Sequence, residues 1–497
     1  MEPGMWKNFG ALLDLVHRLV WGPGLLVLML GAGILYTVKS RGFQIFGWKI
    51  WWRATIGGGE RDFRTACTAL AATIGTGNIV GVATALKAGG PGAIFWMWIS
   101  ALLGMMTGYA EVWLGIHYRH RNERGTWIGG AVTYLAKGLK CPWLGAVYGV
   151  CCLLASFGMG GMVQSNGAVQ TLQFTFGVPA VVGTLAIGGL TMAVLAGGNE
   201  RIMDVAERLI PLASAVYVVC AGVVILTSYK RIPAVLTEIF RYALLPQAVV
   251  GGVGGYGIRQ AVRYGVARGV FSNEAGLGSL AGLHGEAKEE RCLAVDGAGG
   301  NGGYVTEEIQ GMWAIFEVFF DTIVICTMTA LVILCSSGGA AGLDALGLDG
   351  AALAAWSFGN VCGKMGEWLI ALAMLVFSFA TMIAWFYLGR QTLEAVMDVV
   401  ETMEEKRHSG KRVEKGRFHR WYFCLYSVCI ILGGLTRLEA VWKLSDIWNG
   451  MMAFPNLLAL FWLQRQVHFP WTVSGVCEAT GESEFHFREK GKQWGKP

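Results

Sequence analysis

Ala71-Ala72-Thr73-Ile74-Gly75-Thr76-Gly77-Asn78-Ile79-Val80-Gly81 is the centre of an otherwise apolar stretch running from Phe63 to Gly92. The flanks have the composition of a membrane helix. The middle, with two glycines, two threonines and an asparagine, does not. In lipid a helix can open its backbone only where protein or a water-filled cavity takes up the freed groups. The stretch therefore reads as a broken transmembrane helix wrapped around something small and polar.

Working outward, the whole chain agrees with a membrane setting. Of its 497 residues 54% are hydrophobic and 15% charged, against about 25% charged in a soluble protein. Twenty tryptophans and 24 phenylalanines suit aromatic belts at the lipid interface. The class is all-α polytopic membrane protein. The net charge of +6 is expected in loops on the cytoplasmic side rather than against nucleic acid. The 12 cysteines are scattered through apolar runs without zinc-ligand spacing, so they read as buried thiols. Met1 to Leu13 lacks the basic start of a signal peptide, and none is expected. No zinc motif and no Ser/His/Asp set is placed by spacing, so an enzyme is not expected.

A span needs about 20 mostly apolar residues. On that measure the spans are Trp21–Val38, Arg64–Lys87, Ala93–Ile116, Trp143–Thr171, Pro179–Ala196, Leu209–Ser228, Tyr264–Leu283, Met312–Cys335, Glu367–Leu388, Trp421–Leu435 and Val441–Trp462, eleven in all. Basic residues gather in three loops that fall on one side when spans alternate. These are Lys39 to Arg64, Arg119 to Lys140, and Arg390 to Arg420, the last including Lys406, Arg407, Lys411 and Arg412. Basic loops face the cytoplasm, which places the N-terminus outside and the C-terminus inside. The segment Tyr229–Arg263 fits less well, being basic on the outer side; its Pro and Gly content suggests packed surface or re-entrant helices.

A second interrupted span is Gly269-Val270-Phe271-Ser272-Asn273-Glu274-Ala275-Gly276-Leu277-Gly278-Ser279. With the first span set aside, the two breaks fall in spans one and six of ten. Paired interruptions of this kind point to an inverted-repeat transporter with its site between the halves. In the first break, carbonyls near Ala71 and Ile74 can face a cation, and amides near Gly77 and Asn78 can face a carboxylate. Thr73, Thr76 and Asn78 add oxygen ligands suited to a hard cation; the alternative is helix packing through Gly77 and Gly81. In the second break Ser272 and Asn273 offer hydrogen bonds, and Phe271 reads either as a lid over a small apolar side chain or as plain packing. Glu274 can balance a cation, carry a proton or pair with Arg268, and Asp321 with Thr322 invites the same reading inside its span. Gln164 lies within an apolar span, and Thr381 either bonds its own helix or completes a cation shell. Glu111, near the inner end of its span, is expected to meet the basic loop.

Three stretches resemble the alanine or glycine:cation symporter family (sodium:alanine symporters). They are Thr65-Ala66-Cys67-Thr68-Ala69-Leu70-Ala71-Ala72-Thr73-Ile74-Gly75-Thr76-Gly77-Asn78-Ile79-Val80-Gly81-Val82-Ala83, the run Gly92-Ala93-Ile94-Phe95-Trp96-Met97-Trp98, and Gly265-Val266-Ala267-Arg268-Gly269-Val270-Phe271-Ser272-Asn273-Glu274-Ala275-Gly276. The resemblance implies a leucine-transporter-type fold of 5+5 inverted repeats with one extra N-terminal helix. In residue numbers these are 21–38 for the extra helix, 64–228 and 264–462 for the repeats, and 463–497 for a cytoplasmic tail.

The resemblance also implies sodium-coupled uptake of a small neutral amino acid, alanine or glycine, across the inner membrane. Sodium is then a co-transported substrate and there is no cofactor. Substrate is placed at Thr76, Gly77, Asn78, Gln164, Phe271, Ser272 and Gly276, and sodium near Ala71, Ile74 and Thr381; Glu274 and Asp321 are coupling candidates. The sequence departs from the family pattern at Ala380, where a serine is usual, and at Gly161, where an asparagine is usual. The first removes a hydroxyl from the implied sodium shell and the second implies an altered pocket. The segment Glu286–Glu308 is longer than usual and is expected to be an inner loop. Proton coupling or exchange through Glu274 or Asp321, and a receptor or channel without active transport, are the alternatives.

Overall fold

The structure, a computed structural model, describes residues 3–56, 63–122, 125–244, 257–288, 293–294, 303–405, 415–436 and 438–472. Arg61 and the basic run from Lys406 to Arg412 lie outside the described residues, as do most of the Glu286–Glu308 segment and the tail from residue 473. The chain is mostly helical. The helices used below are α1 (Pro3–Val20), α2 (Pro23–Lys39), α3 (Phe63–Thr73), α4 (Val82–Gly89), α5 (Gly92–His117) and α6 (Pro142–Phe176). They continue with α7 (Ala180–Leu195), α8 (Gly198–Thr227), α9 (Ile258–Asn273), α10 (Ser279–Leu283), α11 (Thr306–Ser337), α12 (Gly350–Glu405), α13 (Lys415–Leu435) and α14 (Leu438–Leu463). Two short antiparallel strand pairs, His120–Arg121 with Trp127–Ile128 and Leu293–Ala294 with Gly303–Tyr304, connect helices.

Among the described residues seven helices are long and apolar enough to cross a membrane, and the bent pair α3 and α4 makes an eighth. The three other expected spans are also helical. One is the 16-residue α7, one is the broken α9–α10, and one is the 26-residue α14 with Pro455 inside it. Local chemistry sets several ends. Pro23 and Pro142 open α2 and α6 at a position whose N–H would lack a partner anyway. Gly177 closes α6 and Gly338 closes α11 in left-handed conformation. The long α12 is kinked at Gly363 (φ 61°). Tyr229–Arg263, expected to hold packed helices, contains the helix Ile232–Leu244, which lies on α5; residues 245–256 are outside the described set.

Two helices hold the rest. α5 is packed by α2, α9, α11 and the helix Ile232–Leu244, and most of it is buried. α12 is packed by α3, α6 and α8. Between these two pillars run α3, α4, α9 and α10, so both interruptions sit in the interior. α1 packs along α14 at the periphery.

Candidate functional site

The first break is short. α3 ends at Thr73, a π-helical turn begins at Gly77, and the two arms meet at 45°. The Gly75 N–H, whose helical partner would be the Ala71 carbonyl, donates to Asn78 Oδ1 at 2.9 Å. The Thr76 N–H donates to Gln164 Oε1 at 3.0 Å. The Ile74 carbonyl accepts from Thr381 Oγ1 at 3.2 Å. The freed backbone groups are thus answered by Asn78 of the break itself and by side chains from α6 and α12. Gly75 has to be glycine: a Cβ there would stand 2.5 Å from Thr381 Oγ1 and 2.9 Å from Gln164 Oε1. The Thr76 hydroxyl is buried and has no partner.

Gln164 is oriented by a second irregularity. A π turn over Ser156–Val163 precedes it, and its Nε2 donates to the Met159 carbonyl in that turn at 3.2 Å. A third π turn, Phe319–Cys326 in α11, carries Asp321. Such turns insert one extra residue and recur at functional sites. Asn78 Nδ2 donates to Asp321 Oδ1 at 2.6 Å and to its carbonyl at 3.1 Å. Ser272 Oγ and Thr322 Oγ1 donate to Asp321 Oδ2 at 2.7 and 2.8 Å. Asp321, fully buried, therefore ties the two breaks together, and all its partners are neutral. The Cys326 sulfur lies 3.3 Å from Ser272 Oγ and 3.6 Å from Asn78 Nδ2.

Phe271 covers the same place. Its ring lies 3.4 Å from the point where a Gly77 Cβ would be and stacks on Trp442, with centroids 4.6 Å apart. Trp442 in turn lies over Gly81.

The second break is longer and differently held. Glu274, Gly276 and Gly278 all adopt positive φ, at 59°, 94° and 80°. A non-glycine residue rarely takes that conformation; here Trp385 Nε1 donates to Glu274 Oε1 at 2.8 Å. Arg268, offered above as a partner for Glu274, instead makes a two-pronged ion pair with Asp446 at 2.9 and 2.7 Å. Glu111 does not meet the basic loop. It is fully buried, and its Oε1 accepts from Asn456 Nδ2 at 2.5 Å and from the Gly278 N–H at 3.1 Å. Asn456 Nδ2 also reaches the Gly276 carbonyl at 2.9 Å, and Tyr148 donates to the Leu277 carbonyl.

Of the residues named from sequence, the structure brings together Thr76, Gly77, Asn78, Gln164, Phe271, Ser272 and Asp321. It joins Ile74 to Thr381, with Ala71 one turn before Ile74. It sets Gly276 apart, facing Leu457 and Met29. Gly161 faces Ile430 and Cys429 of α13, so the residue type there bears on α13 rather than on the pocket as expected. Cys326 and Trp442 were missed; nothing in their local sequence separates them from lipid-facing or core residues. Ser378, one turn before Thr381 on the same face, was also missed; its hydroxyl is buried without a partner. Among the described residues no group of three or more His, Cys, Asp or Glu is placed to hold a metal.

Comparison with known proteins adds identity to this geometry. The family model described as the sodium:alanine symporter family matches residues 6–471. The chain is 35% identical to the sodium/alanine symporter AgcS of Methanococcus maripaludis, over 93% of this chain and 96% of that protein. It is 35% identical to an uncharacterized transporter of Haemophilus influenzae, covering 92% and 94%. It is 30% identical to the probable sodium/glutamine symporter GlnT of Bacillus subtilis, covering 92% and 88%. Among solved structures, a Na+-coupled sialic acid symporter in its substrate-bound outward-open state superposes with a TM-score of 0.48 at 13% identity, covering 90% of this chain and 82% of that one. With the match running almost from end to end, the chain belongs to the sodium:alanine symporter family, a membership that indicates amino-acid:cation symport by a multi-pass membrane transporter rather than enzyme chemistry.

Proposed function

We propose that the protein imports a small neutral amino acid, alanine or glycine, together with sodium, by alternating access. The observation that carries this reading is the first break. Its freed amide and carbonyl are buried and are met by Gln164 and Thr381 from two different helices. Sodium interposes between the Ile74 carbonyl, the Ala71 carbonyl and Thr381 Oγ1, all hard oxygen donors. The amino-acid carboxylate takes the amides at Thr76 and Gly77, at the positive end of the following half-helix, with Gln164 and Thr76 Oγ1 as further partners. Phe271 closes over a short side chain. Ser378 offers a hydroxyl on the face of Thr381, which offsets the one absent at Ala380.

This reading includes the 5+5 arrangement over residues 64–228 and 264–462 with residues 21–38 as the extra helix. It also includes an N-terminus outside and a cytoplasmic tail. Binding of both solutes favours one state of the bundle only through differential contacts in the two states.

The test is uptake of labelled alanine into proteoliposomes with and without an inward sodium gradient. Uptake indifferent to sodium overturns the coupling; no competition by glycine or other small neutral amino acids overturns the substrate. A second reading, proton coupling, is favoured by one observation. Asp321 and Glu274 are fully buried carboxylates whose hydrogen-bond partners are all neutral, and an intramembrane carboxylate is a proton-carrier candidate. Uptake driven by a pH gradient alone, and lost in Asp321→Asn, selects it.

A further inference from the structure

The ring pair that covers Gly77 is itself covered. The Arg268 guanidinium lies 4.5 Å from the centroid of the Trp442 ring and 5.5 Å from that of Phe271. Its two prongs are fixed by Asp446, and both side chains are at most a tenth exposed. Asp446 is held in turn by its backbone, because Trp21 Nε1 donates to its carbonyl at 2.7 Å. Arg268 is thus a cation over the aromatic faces and a partner in a charge-assisted pair at once. This cap lies at the α9 end of the site, the outer end in the proposed orientation.

His17, on the peripheral α1, reaches into this cap. Its Nε2 is 3.3 Å from Asp446 Oδ2, the oxygen that Arg268 Nη2 also holds. Its Nδ1 is 3.3 Å from Arg263 Nη2. A guanidinium can only donate. Nδ1 therefore presents its lone pair to Arg263, which assigns the ring proton to Nε2, facing Asp446. In this arrangement the imidazole bridges α9 to α14. The charged groups around it are Asp446 and Lys443 on α14, Arg263 and Arg268 on α9, and Asp14 and Arg18 on α1 itself. Lys443 is engaged by Asp14 at 2.7 Å and by Glu439 at 2.6 Å. A second proton on His17 would set an N–H and a like charge against Arg263. It would also draw Asp446 Oδ2 away from Arg268.

We propose that His17 is a positioning residue for the cap over the site. Neutral, it ties Arg263 to Asp446 and keeps Arg268 over Trp442 and Phe271. Protonated, it releases α9, and the cap loosens. The consequence for uptake rests on the transport reading above; the release itself does not.

Amide hydrogen exchange in peptides covering residues 257–273 tests it, on purified full-length protein in nanodiscs without substrate. Rates are corrected for the intrinsic effect of pH and measured from about pH 8 to about pH 5, the range in which histidines change charge. The corrected exchange should rise about tenfold on acidification, the loss of one charge-assisted contact. His17→Gln keeps a donor and an acceptor but does not charge, and it should abolish the step. Arg263→Gln removes the repelling cation and should shrink it. A wild-type protein with no step, or a step unchanged in His17→Gln, overturns the proposal. Sodium-driven alanine uptake is measured separately on the same preparation. Its absence would sink the transport reading while leaving the exchange result to stand or fall alone.

Discussion

The two interruptions look alike as sequence and are built in opposite ways. At Ile74–Gly75 the helix is interrupted for only a few residues and none of them takes positive φ. Its loose amide and carbonyl are met by single side chains, Gln164 and Thr381, each at about the reach of one exchangeable hydrogen bond. At Glu274–Gly278 the chain takes positive φ three times and is fastened to its surroundings by Trp385, Glu111, Asn456 and Tyr148. The first break is open to substitution of its partners by a ligand; the second is anchored. Paired interruptions therefore do not imply paired chemistry. In the proposed reading solute binding falls on the first of them, while the other fixes where Phe271 and Ser272 stand.

The sharpest way to break this comparison is Gly75→Ala. The added methyl would meet Thr381 Oγ1 at 2.5 Å. Overpacking at such a contact costs about 1–3 kcal/mol, so uptake should fall about tenfold or more with the protein still monodisperse on size exclusion. An alanine there that transports normally would show that the close approach of α6 and α12 is not needed.

Next comes Asp321→Asn against Glu274→Gln. If Asp321, by holding Asn78, keeps the first break in the shape that takes the cation while Glu274 anchors the second, the sodium concentration for half-maximal uptake should rise about tenfold in Asp321→Asn. It should stay within about twofold in Glu274→Gln, whose amide oxygen still accepts from Trp385. Equal effects would erase the distinction between the breaks.

Asn456→Ala probes the anchor alone. It removes the side-chain donor to the Gly276 carbonyl and one of the two donors to Glu111 Oε1, which keeps the Gly278 N–H; a buried polar group that loses its partner costs about 1–3 kcal/mol. The thermal midpoint should drop by several degrees with sodium affinity unchanged. Ser378→Ala should give the smallest effect, a rise of about threefold or less in the half-maximal sodium concentration, read by uptake against sodium titration. No rise would remove that hydroxyl from the cation shell.

Both interruptions were legible from the chain because glycine and polar residues are conspicuous against an apolar background. Asp321 was legible for the same reason. The partners were not. Glu111 sits close to Arg119 and Arg121 in sequence, and that proximity pointed it toward the basic loop. Only folding shows that Asn456, far along the chain, and the Gly278 N–H take its oxygen. Arg268 likewise has Glu274 within two turns, yet its side chain leaves α9 on the face toward α14 and meets Asp446. The π turns before Gln164 and around Asp321 have no sequence signature, since one surplus residue in a helix leaves the apolar pattern almost intact. Trp442 was lost among twenty tryptophans, and its role rests on a stack with Phe271 from another helix.

Cys326 gives the comparison a chemical handle. Its sulfur lies beside Asn78 and Ser272, between the two interruptions, in a fully packed surround. In a background whose other cysteines are replaced, a small thiol-specific reagent can modify it only when the cavity admits solvent. The rate of that labelling, with sodium or alanine present, becomes a clock for opening read on a side chain the protein already carries.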